Sequence, residues 1–176
     1  MGKIRQAGAA RPAAAAKNAR TGQVLDLDRY VPALITFIAN KLSRGATVLY
    51  QKRFGLNITE WRILSLLAIE PEISAARICH VIGFDKGPVS RTLAALEGRG
   101  LVVIKADRDD ARTYSISLTA KGYATHEQVI VVALERERRL LSCLSKAERE
   151  MLIALLLRVH GNLDAVKGAG ELDKGN

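Results

Sequence analysis

The hydrophobic pattern of this chain changes its period once, and that change constrains the fold more than any other feature. Before Gly100, apolar residues recur every three or four positions, which is the period of an amphipathic helix. After Gly100, residues 101–104 are a short β-branched run, and residues 114–118 alternate strictly between larger side chains and serine. A charged segment, 107–112, separates the two runs, so the sequence predicts a β-hairpin with a charged tip.

Four helices are predicted before the hairpin and two after it. The first spans about residues 28–54, and the third and fourth are short helices joined by a tight turn at 81–85. Serine, threonine and aspartate are good N-caps because their side-chain oxygens accept hydrogen bonds from free N–H groups of the first turn. The predicted N-caps of helices two to six are Thr59, Ser74, Asp85, Thr119 and Ser145, the last in a capping-box pattern with Glu148, and the predicted terminators are Gly55, Gly83, Gly98 and Gly100.

Two short helices, a tight turn and a hairpin in this order are typical of a winged helix-turn-helix. The predicted fold class is therefore mainly α with a small β-hairpin wing, forming a single domain over 24–166 with the DNA-binding part at 59–122. The long flanking helices, 24–58 and 123–166, are too apolar to form the outer shell of one domain. We therefore expect them to pack against a second copy in a two-fold dimer.

Positive charge is concentrated at the start of the chain. The formal net charge is +9, and residues 1–23 contain basic side chains but no acidic one. This segment has too few large apolar residues to offset its chain entropy, so we expect a disordered basic tail there, and a second disordered tail over 167–176. The charge favours polyanions as partners, whereas the apolar runs are too short to span a membrane, so no membrane association is expected.

Catalysis and metal binding are not predicted. The sequence has no glycine-rich phosphate loop, no G-x-S-x-G motif and no clustered pair of acids. Its histidines are scattered, and Cys79 and Cys143 are far apart, without metal-ligand spacing. We therefore expect no enzyme activity, no metal and no cofactor, and we expect both cysteines to be packing residues in a reducing cytoplasm.

Five short motifs occur in order along the chain. They are GLNITEWRIL at 55–64, PVSR at 88–91, LEGRGLV at 96–102, DAR at 110–112 and LT at 118–119 followed by Gly122. Together with the long helices on both sides, they resemble the MarR family of winged-helix repressors over about residues 28–165.

That resemblance implies a cytoplasmic homodimer that binds a pseudo-palindromic operator in double-stranded DNA. The fourth helix would enter the major groove and the wing the neighbouring minor groove. Many such proteins release DNA when a small phenolic or aromatic acid, an acyl-thioester or an oxidant binds or reacts. The implied function is a repressor that responds to a small molecule.

The candidate DNA-binding residues lie on helices three and four and on the wing. Arg91 can hydrogen-bond guanine O6 and N7, and the small residues near it allow close approach to the bases. Arg112 suits a narrow, electronegative minor groove, and Asp110 is expected to hold its guanidinium in position. The full predicted set is Ser74, Ala75, Arg77, Lys86, Gly87, Pro88, Ser90, Arg91, Arg108, Asp110 and Arg112.

The effector site implied by the resemblance lies between the dimerisation helices and the winged part. Its candidate residues are Asn40, Ser43, Arg44, Thr47, Tyr50, Trp61, Arg62 and His126, with Arg44 as the expected partner of a ligand carboxylate. For each of them a core or solvent-facing role is an equal alternative. Two other functions remain open: a repressor switched by oxidation of Cys79 or Cys143, and a winged-helix module that docks another protein.

Overall fold

The computed structural model describes residues 24–106 and 114–166. The two expected tails and the wing tip at 107–113 lie outside the described residues. Within the described residues the chain is mainly helical with one antiparallel hairpin, which confirms the predicted fold class. The elements are α1 Val31–Phe54, α2 Ile58–Ile69, α3 Ala75–Ile82, α4 Lys86–Gly98, β1 Val102–Ala106, β2 Tyr114–Leu118, α5 Ala120–Leu140 and α6 Lys146–Gly161, with short 3-10 turns at Leu141–Cys143 and Leu163–Val166.

The start of α1 differs from the prediction. A turn precedes the helix, because the carbonyl of Asp26 accepts hydrogen bonds from the N–H groups of Arg29 (3.1 Å) and Tyr30 (2.9 Å). The Asp26 carboxylate also accepts from the N–H of Asp28 at 3.0 Å. The helix therefore begins at Val31 rather than near residue 28.

The predicted N-cap of α2 at Thr59 is wrong. Asn57 is the cap, and its side-chain oxygen accepts from the N–H groups of Thr59 and Glu60, both at 2.9 Å. Glu60 Oε2 in turn accepts from the N–H of Asn57 at 2.7 Å, which completes a capping box. Asparagine satisfies two N–H groups here, so the helix starts one residue before Thr59.

The other predicted caps are at their expected places. Ser74, Thr119 and Ser145 each accept a hydrogen bond from the N–H three residues later, at 3.2, 3.0 and 3.3 Å. Asp85 is at the N-cap position of α4. Among the described residues, however, its side chain accepts no hydrogen bond from a backbone N–H of that helix. Gly83 ends α3 in the left-handed region, with a φ of 69°.

The hairpin pairs Val102 with Leu118 at its base and Ala106 with Tyr114 at the end nearest the tip. Strand β1 begins one residue later than predicted, because Leu101 still belongs to the turn after α4: its N–H donates to the carbonyl of Leu96 at 2.9 Å. Ile73, before α3, forms an isolated antiparallel bridge with Ile116. This bridge joins the hairpin to the helix-turn-helix.

One apolar core lies under α2, α3, α4, the hairpin and α5. Gly122, in the first turn of α5, allows this helix to approach Leu101 closely, because a Cβ there would lie 2.0 Å from the carbonyl oxygen of Leu101. Helix α4 contributes Val89, Leu93 and Leu96, spaced at i, i+4 and i+7 as the period of an inward helix face predicts. The largest fully buried side chains are Leu56, Ile63, Leu64, Leu67, Ile78, Val89, Leu96, Ile116 and Val129.

The packing of the chain divides inside α1, between Leu42 and Ser43. On the first side, every residue of 24–42 except Ala33 is exposed, including many large apolar ones. On the second side, every residue of 150–166 is exposed, including all the large apolar residues of α6 from Met151 onward. The exposed apolar residues of these two segments include Val31, Leu34, Ile35, Phe37 and Ile38, and Met151, Leu152, Ile153, Leu155, Leu156, Leu157, Val159 and Leu163.

Candidate functional site

Helix α4 has one buried face and one exposed face. Val89, Leu93 and Leu96 hold the buried face in the core. The exposed face, here called the reading face, carries a cation at Lys86, a second at Arg91 and small side chains between them. Its residues are Lys86, Gly87, Pro88, Ser90, Arg91 and Ala94. Such a helix can approach a nucleic acid groove closely and present cations and hydroxyls to it.

The beginning of α3 combines a capped helix end with an ion pair. Ser74 caps the helix, and Ala75 is its first residue. Arg77 donates from Nε and Nη2 to the two carboxylate oxygens of Glu70, each at 2.9 Å. Hydrogen bonding to Arg77 lowers the pKa of Glu70, so the carboxylate is charged and offsets the cation. A phosphate would compete with Glu70 for Arg77.

The wing is described only at its base. Lys105 and Tyr114 are exposed near the end of the paired strands. The predicted wing residues Arg108, Asp110 and Arg112 lie outside the described residues. Glu97, on α4, accepts a hydrogen bond from the N–H of Ile104 at 3.3 Å, so α4 and the first strand of the hairpin are directly joined.

Three of the predicted effector residues form one ring cluster, here called the aromatic cluster: Tyr50 on α1, Trp61 on α2 and His126 on α5. The rings of Trp61 and His126 are stacked, with centroids 5.3 Å apart and planes inclined by 19°. Tyr50 meets Trp61 edge-on at 6.0 Å. Burial lowers the pKa of His126, against the opposite effect of Glu127, and burial raises the pKa of Tyr50. A neutral imidazole against an indole is a flat surface suited to another aromatic ring.

A second contact joins α1 to the helix-turn-helix. Arg62 Nη2 donates to Ser43 Oγ at 3.1 Å. The same guanidinium lies over the ring of Phe84, 5.8 Å from its centroid, in the turn between α3 and α4. Arg62 and Ser43, two of the predicted effector residues, are therefore in direct contact.

The remaining effector candidates are placed differently. Thr47 is half-buried on α1, whereas Arg44 is exposed. Asn40 is exposed on the part of α1 before Ser43. Arg44, the expected carboxylate partner, is thus on a solvent-facing position of the helix.

Arg136 on α5 was missed by the sequence analysis. Its guanidinium lies 5.9 Å from the ring centroid of Tyr50, and its Nη2 is 3.6 Å from where a Cβ would stand at Gly45. Arg136 lowers the pKa of Tyr50 by its charge and a hydrogen bond, opposing burial. The spacing of His126, Val129 and Arg136, at i, i+3 and i+10, would have placed them on one helix face.

The cysteines differ from each other. Cys79 is half-buried and packs against the core, as predicted. Cys143 is exposed in the 3-10 turn after α5, so its predicted packing role is wrong. Among the described residues no three histidine, cysteine or acidic side chains are grouped as a metal site would require. The same part of the chain contains no helix with the length and apolar character of a membrane span.

The family model described as MarR family matches residues 54–113. A MarR/EmrR family transcriptional regulator from Acinetobacter sp. ADP1 is 35% identical and superimposes with a TM-score of 0.75, covering 80% of this chain and 99% of that one. The HTH-type transcriptional regulator YdgJ of Bacillus subtilis (strain 168) is 28% identical over 116 residues, covering 64% of this chain and 69% of its own length. The PcaV regulator of Streptomyces coelicolor, solved with its natural ligand, shares the fold at 21% identity and a TM-score of 0.65, covering 80% of this chain and 98% of PcaV. The chain belongs to the MarR family of DNA-binding transcriptional regulators, which are not enzymes.

Proposed function

We propose that this regulator is a cytoplasmic homodimeric repressor that binds a pseudo-palindromic operator and leaves it when a small aromatic, phenolic or acyl-thioester ligand binds. The observation that carries the DNA-binding part is the two-faced α4. Its buried face fixes the helix in the core, and every residue of its reading face, including Arg91 and Lys86, is exposed. In such a complex Arg91 contacts bases, while Ser74, Ala75 and Arg77 contact the backbone.

The exposed apolar residues support the dimer. Two long segments, 24–42 and 150–166, each present large apolar side chains to solvent. Apolar patches of this kind mark interaction sites in soluble proteins. A second copy of the same chain is the partner that would be present whenever the protein is made, and a two-fold dimer presents two reading faces to two operator half-sites.

The aromatic cluster supports the ligand. Trp61 and His126 provide two stacked rings on α2 and α5. Tyr50 on α1 adds a hydroxyl, and Arg62 on α2 adds a cation. The solved PcaV structure contains the natural ligand of that protein. A flat organic acid is the ligand class that rings and a guanidinium together would bind.

The operator test uses duplexes selected from a random pool by the full-length protein. We expect an imperfect palindrome whose half-site centres are about 10 bp apart, because two recognition helices must meet successive major grooves on one face of the DNA. Arg91→Ala should relax the choice at one base pair in each half-site by ~1–3 kcal/mol if Arg91 reads a guanine. A protein that selects no preferred duplex would contradict the proposal and favour the protein-docking alternative.

The wing test compares Arg112→Ala with Asp110→Ala. We expect both to weaken operator binding, since Asp110 holds the guanidinium that enters the minor groove. Charge alone predicts the reverse for Asp110→Ala, because removing an acid favours DNA binding. Tighter binding by Asp110→Ala, with the fold intact, would contradict the proposed role of the wing.

The ligand test titrates the operator complex with salicylate and related aromatic acids, followed by fluorescence of the single tryptophan, Trp61. We expect quenching and DNA release to share one midpoint, and His126→Ala to shift both.

Peroxide titration with and without dithiothreitol tests the alternative redox switch. Release that requires oxidation and is lost when Cys79 and Cys143 are replaced by serine would favour that alternative.

A further inference from the structure

Glu60 is the one charged side chain that is buried among the described residues, with 6% of its surface exposed. Its two carboxylate oxygens have different partners. Oε2 accepts from the N–H of Asn57 at 2.7 Å, within the capping box of α2. Oε1 accepts from Arg99 Nη1 at 3.2 Å, and Arg99 is the C-cap of α4. A buried carboxylate is costly unless it is paired, so this contact is maintained in the folded chain.

The end of α4 is also held from the other side. The carbonyl of Arg99 accepts from Lys121 Nζ at 2.8 Å, and the carbonyl of Gly100 accepts from Thr119 Oγ1 at 2.7 Å. The N–H of Thr119 donates to the carbonyl of Leu101 at 3.1 Å. The three residues after α4, 99–101, are therefore held by hydrogen bonds. Glu60 at the beginning of α2 binds the side chain of Arg99, and the beginning of α5 binds the three carbonyls.

The reading face lies mainly at the opposite end of the same helix. Helix α4 has 13 residues and is therefore about 20 Å long. Lys86 and Gly87 are its first two residues, whereas Arg99 directly follows its last. A small change of direction at the held end therefore moves the residues at the reading end, where base contacts depend on hydrogen-bond geometry.

We propose that the Glu60–Arg99 ion pair is a positioning contact that sets the direction of α4 and thereby the operator specificity of the protein, without itself touching DNA. The proposal rests on the proposed function, because it requires α4 to read bases. It predicts that loss of the pair reduces binding to the operator and leaves binding to unrelated DNA intact. Phosphate contacts tolerate small displacements, whereas base contacts in the groove do not.

The test is a pair of variants with opposite charge effects. Glu60→Gln removes the ion pair but keeps the capping box, in which glutamine is also favourable. Arg99→Gln removes the pair from the other side. At one salt concentration we expect each variant to lower the ratio of operator to mixed-sequence affinity about tenfold, the cost of about one mismatched base pair. The two changes alter net charge in opposite directions, so charge cannot explain a loss common to both.

The matched controls break an exposed ion pair on α5. Glu135 accepts hydrogen bonds from Arg138 and Arg139, and these bonds lower its pKa to about 2. Glu135→Gln and Arg138→Gln change the charge as the two test variants do, and we expect both to keep the wild-type ratio. Binding is measured below the melting transition of every variant. If Glu60→Gln does not fold, Arg99→Gln with its control Arg138→Gln is the test.

The outcomes separate the two proposals. In one outcome the wild type prefers its selected operator, and neither Glu60→Gln nor Arg99→Gln changes the ratio of operator to mixed-sequence affinity. That result overturns the positioning role alone. Tighter operator binding by Glu60→Gln also overturns it, since that result would indicate that Arg99, once released, contacts phosphate. A wild type with no preferred sequence overturns the proposed function and this inference with it.

Discussion

At the scale of single residues, Gly122 has the least room for a side chain of all the glycines in the described chain. A Cβ at Gly122 would lie 2.0 Å from the backbone oxygen of Leu101, which cannot rotate away. We expect Gly122→Ala to lower the free energy of unfolding by ~1–3 kcal/mol, as overpacking in a close-packed core does. Urea denaturation measures this change.

Gly98 provides the control for that substitution. It is the last residue of α4, and an added Cβ there would have no neighbour within 4 Å in the described structure. Gly98→Ala should therefore leave the free energy of unfolding unchanged or raise it by up to ~1 kcal/mol, since alanine favours helix more than glycine does. Equal destabilisation by both substitutions would show that the approach of α5 to Leu101 is not the cause.

His126 makes stability depend on pH. Burial against Trp61 lowers the pKa of His126, and Glu127 opposes this effect. The unfolded chain, with an ordinary histidine pKa of about 6.5, therefore binds a proton more readily than the folded chain does. The contribution of the neutral ring is complete above pH ~6.5 and is lost as the pH falls through that value towards the folded pKa.

We therefore expect wild type to lose more stability than His126→Gln between pH 7.5 and pH 5.5, as measured by urea denaturation at each pH. The carboxylates that titrate below this range contribute equally to both proteins and cancel in the comparison. Parallel stability curves for the two proteins would contradict the burial of a neutral His126.

At the scale of elements, substitutions at the beginning of α2 can test which residue caps this helix. Asn57 accepts two backbone hydrogen bonds, whereas the sequence pattern predicts Thr59 as the cap. We expect Asn57→Ala to cost about 1 kcal/mol of stability, the usual cost of losing an N-cap, and Thr59→Ala to cost less. Thermal denaturation of the two variants measures the difference, and a larger loss for Thr59→Ala would contradict the observed capping box.

The elements also show what local sequence patterns can predict. Features that depend on residues within one or two turns follow from spacing and cap chemistry. They are strand β2, the inward residues of α4 and the caps at Ser74, Thr119 and Ser145. The choice of Asn57 over Thr59 was missed because both residues are competent caps.

The contacts between elements were less predictable. The bonds of Glu60 to Arg99, of Arg77 to Glu70 and of Arg136 to Tyr50 join residues whose proximity depends on how the helices pack. Motif resemblance did bring Trp61 and His126 into one candidate set, although they lie on different helices. The resemblance and its charge also favour Arg44 as the carboxylate partner, but the helix places Arg44 in solvent.

At the scale of the whole molecule, we expect a dimer whose interface includes α6. Leu155 and Leu156 are about half exposed in the chain by itself, in a helix whose residues from 150 onward all face solvent. Burying such side chains contributes roughly 25 cal/mol per Å² of apolar surface, so covering several of them would favour association strongly. Sedimentation equilibrium at micromolar concentration should give twice the chain mass of 19.1 kDa.

Leu156→Glu should shift that equilibrium to the monomer, because the dimer would then bury two carboxylates without partners. Operator affinity should fall with it, since a monomer contacts one half-site only, whereas the circular dichroism of the helices should persist. Ile69→Glu is the charge-matched control, because Ile69 is an apolar residue at the end of α2 with 77% of its surface exposed. It should remain a dimer, because a carboxylate at an exposed position outside the proposed interface does not have to be buried. A soluble 19.1 kDa wild-type monomer at this concentration, or a Leu156→Glu variant that still dimerises, would contradict the role of α6 in the interface.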